Sequence, residues 1–260
     1  MHLTYFDSNS WLIELEGKKI LLDPWLVGDL TFGGATWLFK GSKNQQHPIP
    51  QNIDLILLSQ GLEDHAHPPT LKELDKNIPV LASPKAAKVA KELGYKDVNS
   101  LEHGESYQLE NTLEIKALVG SPIGPNTLEN AYFLKGLTSA KTIYYEPHGY
   151  HGEEIKAMDG VDVVITPLIN LKLPLLGAVI KGQKTAIDLC KCLKPQVILS
   201  TAAGGDVSFE GILMSILKAE GTVEDFTSLL KQNGLATLAI DPRSGAVSYT
   251  HLTLPTKRIV

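Results

Sequence analysis

Two short segments of the sequence concentrate the carboxylates and imidazoles that could do chemistry. The segment EDHAH, residues 63–67, follows the apolar run DLILLS, and the segment EPHGYH, residues 146–151, follows the apolar run TIYY. Histidine and carboxylate side chains bind divalent metals and also act as general acids and bases. The sequence therefore predicts a metal-binding or catalytic site, provided that the fold brings these two strand ends together.

The elements that must position these segments follow an α/β order. Strand-forming runs flank EGKK near the start, which suits a hairpin, and from residue 52 onward apolar strands alternate with helical segments. Helices are predicted at PPTLKELDKN, SPKAAKVAKELG, QKTAIDLCKCL, FEGILMSILKAE and VEDFTSLLKQNG. Because no linker divides the chain, we predict one domain in which two mixed sheets pack face to face with helices outside, and in which the two halves meet near Gly160.

Two further segments depart from this rhythm. The stretch from Pro167 to Gly182 is strongly apolar but has neither a helical nor a strand period, so we predict a flap or wall beside a cleft, lined in part by Leu171, Leu173, Leu175 and Leu176. The tail from Val247 to Val260 differs in character from the rest of the chain. We interpret it as a segment of non-native origin and place the domain at residues 1–246.

Composition excludes several classes of partner. The 24 Lys and Arg against 29 Asp and Glu give a net charge of -5, and no basic run is present, so no nucleic-acid partner is expected. No apolar run reaches the roughly 18 residues that a membrane span needs, and the N-terminal residues lack the pattern of a secretory signal. We predict a cytoplasmic protein that acts on or binds a small molecule, and the oligomeric state stays open.

The order of elements and three motifs resemble the metallo-β-lactamase superfamily, most closely its lactonase-like branch. The motifs are KILLDPWL with Asp23, SQGLEDH from Ser59 to His65, and TIYYEPHG with His148. The resemblance extends to about Ile240 and implies a four-layer αββα sandwich with a metal site at one edge of the two sheets. The middle motif aligns with the family's His-x-His-x-Asp-His loop in a degenerate form.

The resemblance implies that one of the family's two metal positions is lost. Its first metal would need histidines at Gln60 and Leu62 and a third in LVGSPIGP, which contains none. The second metal uses the residues found here as Asp64 and His65, and His148 stands where an aspartate normally bridges both metals. These three residues form a set of two imidazoles and one carboxylate that binds Zn²⁺ or Fe²⁺ with open positions.

The three side chains should therefore converge, with ligand atoms roughly 3 to 4.5 Å apart. Asp64 is also the candidate catalytic residue. Four neighbouring side chains are predicted to orient the ligands through hydrogen bonds or to contact the substrate: Gln60, His67, Glu146 and His151. Gln60 in particular is expected to hold a water or a substrate oxygen.

Three functions remain open at this point. The first is a metal-dependent hydrolase with a mononuclear site that holds one divalent metal, for which zinc is favoured and iron or manganese are alternatives. The second is a non-catalytic binding protein that holds a small apolar or amphipathic ligand, with a relic site kept by structural hydrogen bonds. A separate alternative for Asp64 is that it serves only as the cap of the following helix. A mononuclear iron redox enzyme is a third reading of the same ligand set.

Overall fold

The computed structural model of the protein describes residues 1–123, 127–174, 177–202 and 204–249, with only the backbone at 248 and 249. The first elements are β1 (His2–Tyr5), β2 (Trp11–Leu15), β3 (Lys18–Leu22), β4 (Leu30–Thr31), β5 (Lys40–Lys43), β6 (Leu55–Leu58), α1 (Pro68–Glu73), β7 (Val80–Ala82), α2 (Pro84–Glu92), β8 (Val98–Ser100), β9 (Ser106–Leu109), β10 (Leu113–Pro122), β11 (Leu128–Gly136) and β12 (Thr142–Tyr145). A 3-10 helix (Glu153–Ala157) precedes β13 (Val163–Ile165), β14 (Asn170–Leu173), β15 (Gly177–Ile180), α3 (Lys184–Leu193), β16 (Val197–Leu199), β17 (Val207–Glu210), α4 (Ile212–Ile216), β18 (Lys218–Glu220), α5 (Val223–Gln232), β19 (Leu238–Ile240) and β20 (Val247–Tyr249).

Two seven-stranded sheets dominate the described residues. The first has the strand order β20-β1-β2-β3-β6-β7-β8, and the second has the order β19-β16-β13-β12-β11-β10-β9. Each is mixed: a run of antiparallel strands joins a run of parallel strands, with β6 parallel to β3 and β7, and β13 parallel to β12 and β16. The four residues of β6 are all buried because both faces of this parallel strand are covered.

The layers follow from three apolar clusters. One cluster joins the facing sides of the two sheets, with Trp11 and Leu57 from the first sheet and Tyr132 and Val163 from the second. The outer face of the first sheet packs against α1 and α2, and the outer face of the second packs against α3 and α5. The predicted α/β fold, a four-layer αββα sandwich, is therefore confirmed.

Helix starts match their sequence signals. Ser83 caps α2 ahead of a proline in its first turn, and Thr222 and Asp225 form a capping box at the start of α5. These caps satisfy backbone N–H groups that have no partner within the helix. The helices are thus fixed on the outer faces, and the strand ends that they connect are left to build the site.

The predicted division near Gly160 is wrong. The first sheet takes its strands from residues up to Ser100 and from β20, whereas the second sheet begins at Ser106. The reason is that β9 to β12 pair with one another as consecutive antiparallel strands and extend directly into the second sheet.

Two local predictions also need correction. The segment from Pro167 to Gly182 contains the strands β14 and β15, which form a three-stranded sheet with β18. The segment FEGILMSILKAE is helical only over α4, because it also contributes to β17 and β18. In both segments the strands form by pairing with distant parts of the chain, and in FEGILMSILKAE this pairing overrides the local helical preference.

The tail begins with a paired strand. β20 pairs with β1 in an antiparallel register from His2↔Tyr249 to Thr4↔Val247. Residues 250–260, including His251, lie outside the described residues. A domain limited to residues 1–246 and a non-native origin of the tail stay predictions.

Candidate metal centre

The candidate site lies where parallel strands of both sheets end. Asp23 follows β3, the segment from Ser59 to His67 follows β6, and the segment from Glu146 to His151 follows β12. The carboxyl ends of neighbouring parallel strands meet at one edge of a sheet, which is where ligands bind in open α/β folds. The packing of the two sheets brings both chemical segments to the same edge.

Three of the predicted residues converge at this edge. Asp64, His65 and His148 each offer one ligand atom, and these atoms all lie within 4.8 Å of one another. The upper limit is slightly wider than the expected 4.5 Å. Bonds of about 2.0 to 2.2 Å to a shared ion bring two ligand atoms no farther apart than about 4.4 Å. A small side-chain movement is therefore enough to close the group around one ion.

Asp64 is not the helix cap that the alternative reading requires. The cap of α1 is His67, whose ring accepts a hydrogen bond from the backbone N–H of Thr70. One carboxylate oxygen of Asp64, Oδ2, contacts His65 Nε2 at 3.2 Å, and the other, Oδ1, is buried without a protein partner. Burial by itself raises the pKa of Asp64, but the charge of His65 holds it below its usual value. An ionised carboxylate with one buried free oxygen is suited to binding a cation.

His65 is held between two carboxylates. Its Nδ1 donates to Asp23 Oδ2 at 2.7 Å, and its Nε2 faces Asp64. Burial by itself lowers the pKa of His65, but the charges of Asp64 and Asp23 outweigh it and raise this pKa to about 10. The ring is therefore oriented with Nε2 toward the group, and a metal must displace a proton in order to bind there.

Asp23 is a further residue of the candidate site, and the sequence analysis recognised it only as a marker of the family. It is fully buried and accepts four hydrogen bonds: from Ser59 N at 2.7 Å, Ser59 Oγ at 2.5 Å, Tyr145 Oη at 2.6 Å and His65 Nδ1. Its backbone has φ 41°, a left-handed conformation that aspartate tolerates better than most residues. The signal that could have found its role is an acidic residue at the end of a strand parallel to β6.

A hydrogen-bonded cluster occupies the region where the family's first metal would need histidines. Gln60 Nε2 lies 2.9 Å from Ser121 Oγ and 2.7 Å from His148 Nδ1, and Ser121 Oγ lies 3.0 Å from the same Nδ1. The Leu62 side chain is 38% exposed and has no ligand atom. The amide nitrogen of Gln60 thus contacts protein groups, and the expectation that Gln60 holds a water or a substrate oxygen stays a prediction.

His148 is kept neutral and is oriented by its surroundings. Burial lowers its pKa to about 3, and the nearby charge of His65 acts in the same direction. A neutral imidazole that binds a metal through Nε2 donates from Nδ1 to an acceptor. Turning the Gln60 carboxamide by half a rotation places its oxygen, which is otherwise buried without a partner, against His148 Nδ1. Gln60 can therefore supply that acceptor.

Glu146 fixes the turn that carries His148. Its Oε2 accepts the backbone N–H of His148 at 3.1 Å and that of Tyr150 at 2.8 Å, while the carbonyl oxygen of His148 accepts from Lys181 N at 2.8 Å. Burial raises the pKa of Glu146 to about 8. The contact of Glu146 with His148 is thus through the backbone, and it positions the imidazole indirectly.

The two remaining histidines are not part of the converging group. Both ring nitrogens of His67 are engaged elsewhere: Nδ1 contacts Thr70, and Nε2 lies 3.2 Å from the carbonyl oxygen of Asp29. His151 Nδ1 lies 3.0 Å from Tyr144 Oη, and its buried Nε2 has no protein partner. His67 therefore stabilises the start of α1, and His151 forms a hydrogen bond with a residue of β12.

His67 gives a pH-dependent stability that can be measured. Burial lowers its pKa from 6.5 to about 4, so the unfolded chain binds more protons between these values and stability falls as the pH decreases through this window. When the pH is lowered from 7 to 5, protonation of this residue in the unfolded chain should reduce the free energy of unfolding by about 2 kcal/mol. His67→Asn retains a capping side chain. In this variant the fall in the free energy of unfolding between pH 7 and pH 5, measured by urea unfolding, should be correspondingly smaller.

The control for this measurement is the exposed His103. The fall in His103→Asn should equal that of the unchanged protein. An equal fall in His67→Asn and the unchanged protein would contradict the assignment.

A cavity of about 460 Å³ adjoins the converging group, and Asp64 and His148 form part of its wall. Leu171 and Leu173 line it as predicted, together with Val179 and Ile180 of the same segment. Leu175 and Leu176 lie outside the described residues. The segment from Pro167 to Gly182 is therefore a wall of this cavity, built as a strand pair.

Residues 2–202 match the family described as a beta-lactamase superfamily domain. The chain belongs to this superfamily. No curated protein matches the sequence. Among the described residues of this superfamily member, no helix is long and apolar enough to cross a membrane.

Solved structures share the metallo-β-lactamase fold at low sequence identity. An isothiocyanate hydrolase from Delia radicum gut bacteria is 17% identical with a TM-score of 0.69, over 96% of this chain and 98% of that chain. A metallo hydrolase from the archaeon Ignicoccus hospitalis is 16% identical with a TM-score of 0.67, over 95% and 97%. CmlA, a diiron β-hydroxylase from Streptomyces venezuelae, is 14% identical with a TM-score of 0.67, over 95% and 53%. At such identities these similarities establish the fold of this superfamily member alone.

Proposed function

We propose that the protein is a metal-dependent hydrolase of a small molecule that uses a single divalent ion held by Asp64, His65 and His148. The observation that carries this proposal is the convergence of one carboxylate and two imidazoles, from two distant segments, at the edge of the sheets. The residues fit an ion, since Asp64 Oδ1 is buried and unpartnered while Asp23 orients His65. Zinc suits this donor set, and iron or manganese are alternatives.

The chain's own residues would divide the work at this site. A divalent ion in this position would polarise a carbonyl group and lower the pKa of a water. Asp64 would be a ligand close to the reacting atoms, because it borders both the converging group and the cavity, as His148 does. With its carboxamide turned by half a rotation, Gln60 would accept from His148 Nδ1 through its oxygen, and Glu146 would hold the backbone turn that presents His148.

A second candidate function rests on a different observation. His65 contacts the carboxylates of both Asp23 and Asp64, so protein groups satisfy both of its ring nitrogens. A non-catalytic protein could retain such a network for stability and use the adjoining cavity to hold a small apolar or amphipathic ligand. Metal content separates the two functions, because the second needs none.

Metal content should be one ion per chain. Protein incubated with Zn²⁺ and freed of excess ion is expected to retain about one equivalent, because Gln60, Leu62 and Ser121 cannot replace the histidines of a second position. Elemental analysis gives the stoichiometry, and hydrolysis of a panel of small esters, lactones and amides gives the activity.

A matched variant sharpens this test. Gln60→His combined with Leu62→His should still hold one ion, since LVGSPIGP, where the third histidine would lie, contains none. Two tightly held ions in the unchanged protein would overturn the single-ion site, and no ion under any condition would favour the binding protein.

A further inference from the structure

The cavity beside the candidate metal centre has an unusual division between polar and apolar walls. Its polar members are Ser8, Asp64 and His148, and all other described residues that line it are apolar. No lysine or arginine is among those residues. At about 460 Å³ the cavity lies within the range of about 300 to 1,000 Å³ typical of small-molecule sites. It therefore has one reactive end and a body without a charged partner.

The strands around the cavity direct their cations elsewhere. On β14, Leu171 and Leu173 line the cavity, while Lys172 between them forms an ion pair with Glu220. On β18, Ala219 lines the cavity, and its neighbour Lys218 does not. Successive side chains of a strand point to opposite faces, so these strands present an apolar face inward and a charged face outward. Lysines are absent from the described lining of these two strands because alternate side chains point away from the cavity.

The wall of the cavity formed by β17 and α4 is also apolar. α4 and its flanking residues contribute Leu213, Met214 and Leu217, and Phe209 of β17 lines the cavity beside them. The adjacent Ile212 is 57% exposed, and its backbone N–H donates to the carbonyl oxygen of Trp37, whose side chain is 68% exposed. Exposed apolar side chains thus lie next to the apolar lining, as expected where an apolar molecule enters.

We propose that this cavity receives an uncharged, apolar acyl chain, so that the substrates are esters or lactones with an apolar acyl portion whose carbonyl lies at Asp64 and His148. This assignment rests on the proposed hydrolytic function. In the reaction, water adds its oxygen to the carbonyl carbon, the bond from that carbon to the alkoxy oxygen breaks, and the leaving oxygen takes a proton. That proton comes from the attacking water, and no oxidant or reductant is required. An ester gives a carboxylic acid and an alcohol, and a lactone gives one hydroxy acid. A charged substituent at the far end of the chain would lose its hydration without a charged partner in the apolar body of the cavity.

The proposal is tested by binding rather than by turnover. Methyl ketones of four to twelve carbons carry a carbonyl and an apolar chain but are not hydrolysed. Calorimetric titration should show affinity rising about four-fold per methylene, the ratio expected for burial of a CH₂ group, until the cavity is filled. Ketones with a terminal ammonium group should bind much more weakly than uncharged ketones of equal length.

Two matched variants on one strand locate the effect. Ala219→Phe places a ring in the cavity, so the increase of ketone affinity with chain length should stop several methylenes earlier. Lys218→Phe, on the opposite face of β18, should leave the dependence of affinity on chain length unchanged. Both positions are exposed on an edge strand, so neither change should prevent folding. A second pair on α4, Leu213→Asp and Ile212→Asp, repeats the comparison with a charge, and α4 has no buried residue to disrupt.

The outcomes distinguish this proposal from the function on which it rests. Two results would contradict the assignment of the cavity to an acyl chain. One is ketone affinity that does not depend on chain length, and the other is an affinity that stops increasing at the same chain length in Ala219→Phe as in the unchanged protein. Length-dependent binding by a protein whose metal-loaded form hydrolyses no ester would retain the apolar cavity, remove the hydrolase and so overturn the ester assignment. Ester hydrolysis with equal kcat/KM at every chain length would retain the hydrolase and overturn the cavity.

Discussion

His148→Ala is expected to weaken metal binding on the order of 100-fold to 1,000-fold and to remove hydrolytic activity with it. His148 is one of three converging ligands, and the ion would lose one of two imidazoles. Competition with a chelator of known zinc affinity measures the dissociation constant, and elemental analysis after desalting shows whether the ion is retained. The residual site of Asp64 and His65 should lose zinc during desalting.

The turn that carries His148 also supplies the control. His151 is a histidine three positions along whose Nδ1 contacts Tyr144 and which does not belong to the converging group. His151→Ala should therefore leave zinc affinity unchanged. Equal affinity in His148→Ala and the unchanged protein would mean that the convergence of the three side chains has no role in metal binding, and would remove the main support for a metal-dependent enzyme.

Asp23→Ala is expected to lower the free energy of unfolding by about 3 to 5 kcal/mol. The carboxylate is fully buried and accepts hydrogen bonds from Ser59, His65 and Tyr145, so its removal leaves buried donors without an acceptor. It also leaves Asp64 as the one remaining carboxylate in contact with His65. The alanine also bears the cost of a left-handed backbone conformation at this position. Urea unfolding at pH 7 measures the loss.

Two variants separate the stabilising role of Asp23 from its positioning role. Asp23→Asn retains the shape and tolerates the left-handed backbone, and it should cost less stability than alanine. In this variant zinc affinity should still fall by about 10-fold to 100-fold, the usual effect of losing a hydrogen bond to a metal-bound histidine. Asp188→Asn, an exposed carboxylate on α3, should change stability by no more than about 0.5 kcal/mol. Unchanged zinc affinity in Asp23→Asn would show that Asp23 is purely structural.

Much of the fold could be predicted from the sequence because its signals are local. Apolar runs such as DLILLS predict buried strands, and prolines and caps predict where α1, α2 and α5 begin. The motifs around Asp23, Asp64 and His148 lie at strand ends, and the ends of parallel strands meet at one edge. This order and these motifs resemble the family, and the resemblance in turn implied the αββα layers and the convergence of the three side chains.

Tertiary structure alone decided the contacts between residues far apart in the chain. The sequence places Gln60 beside the metal motif, but only the packing of the sheets brings it to Ser121 and His148. It likewise identifies His67 as a neighbour of the ligands, whereas in the structure the start of α1 and the loop at Asp29 engage both ring nitrogens.

The strands in the segment from Pro167 to Gly182 also depend on a contact between distant residues, because β14 pairs with β18 about fifty residues later. What the sequence by itself determined is the order of elements and the chemical types at their ends, since local periodicity and turn chemistry encode both. Which side chains orient the site, which serve only the fold and which form the cavity depended on pairings between distant segments, because a strand has no partner until the chain has folded around it.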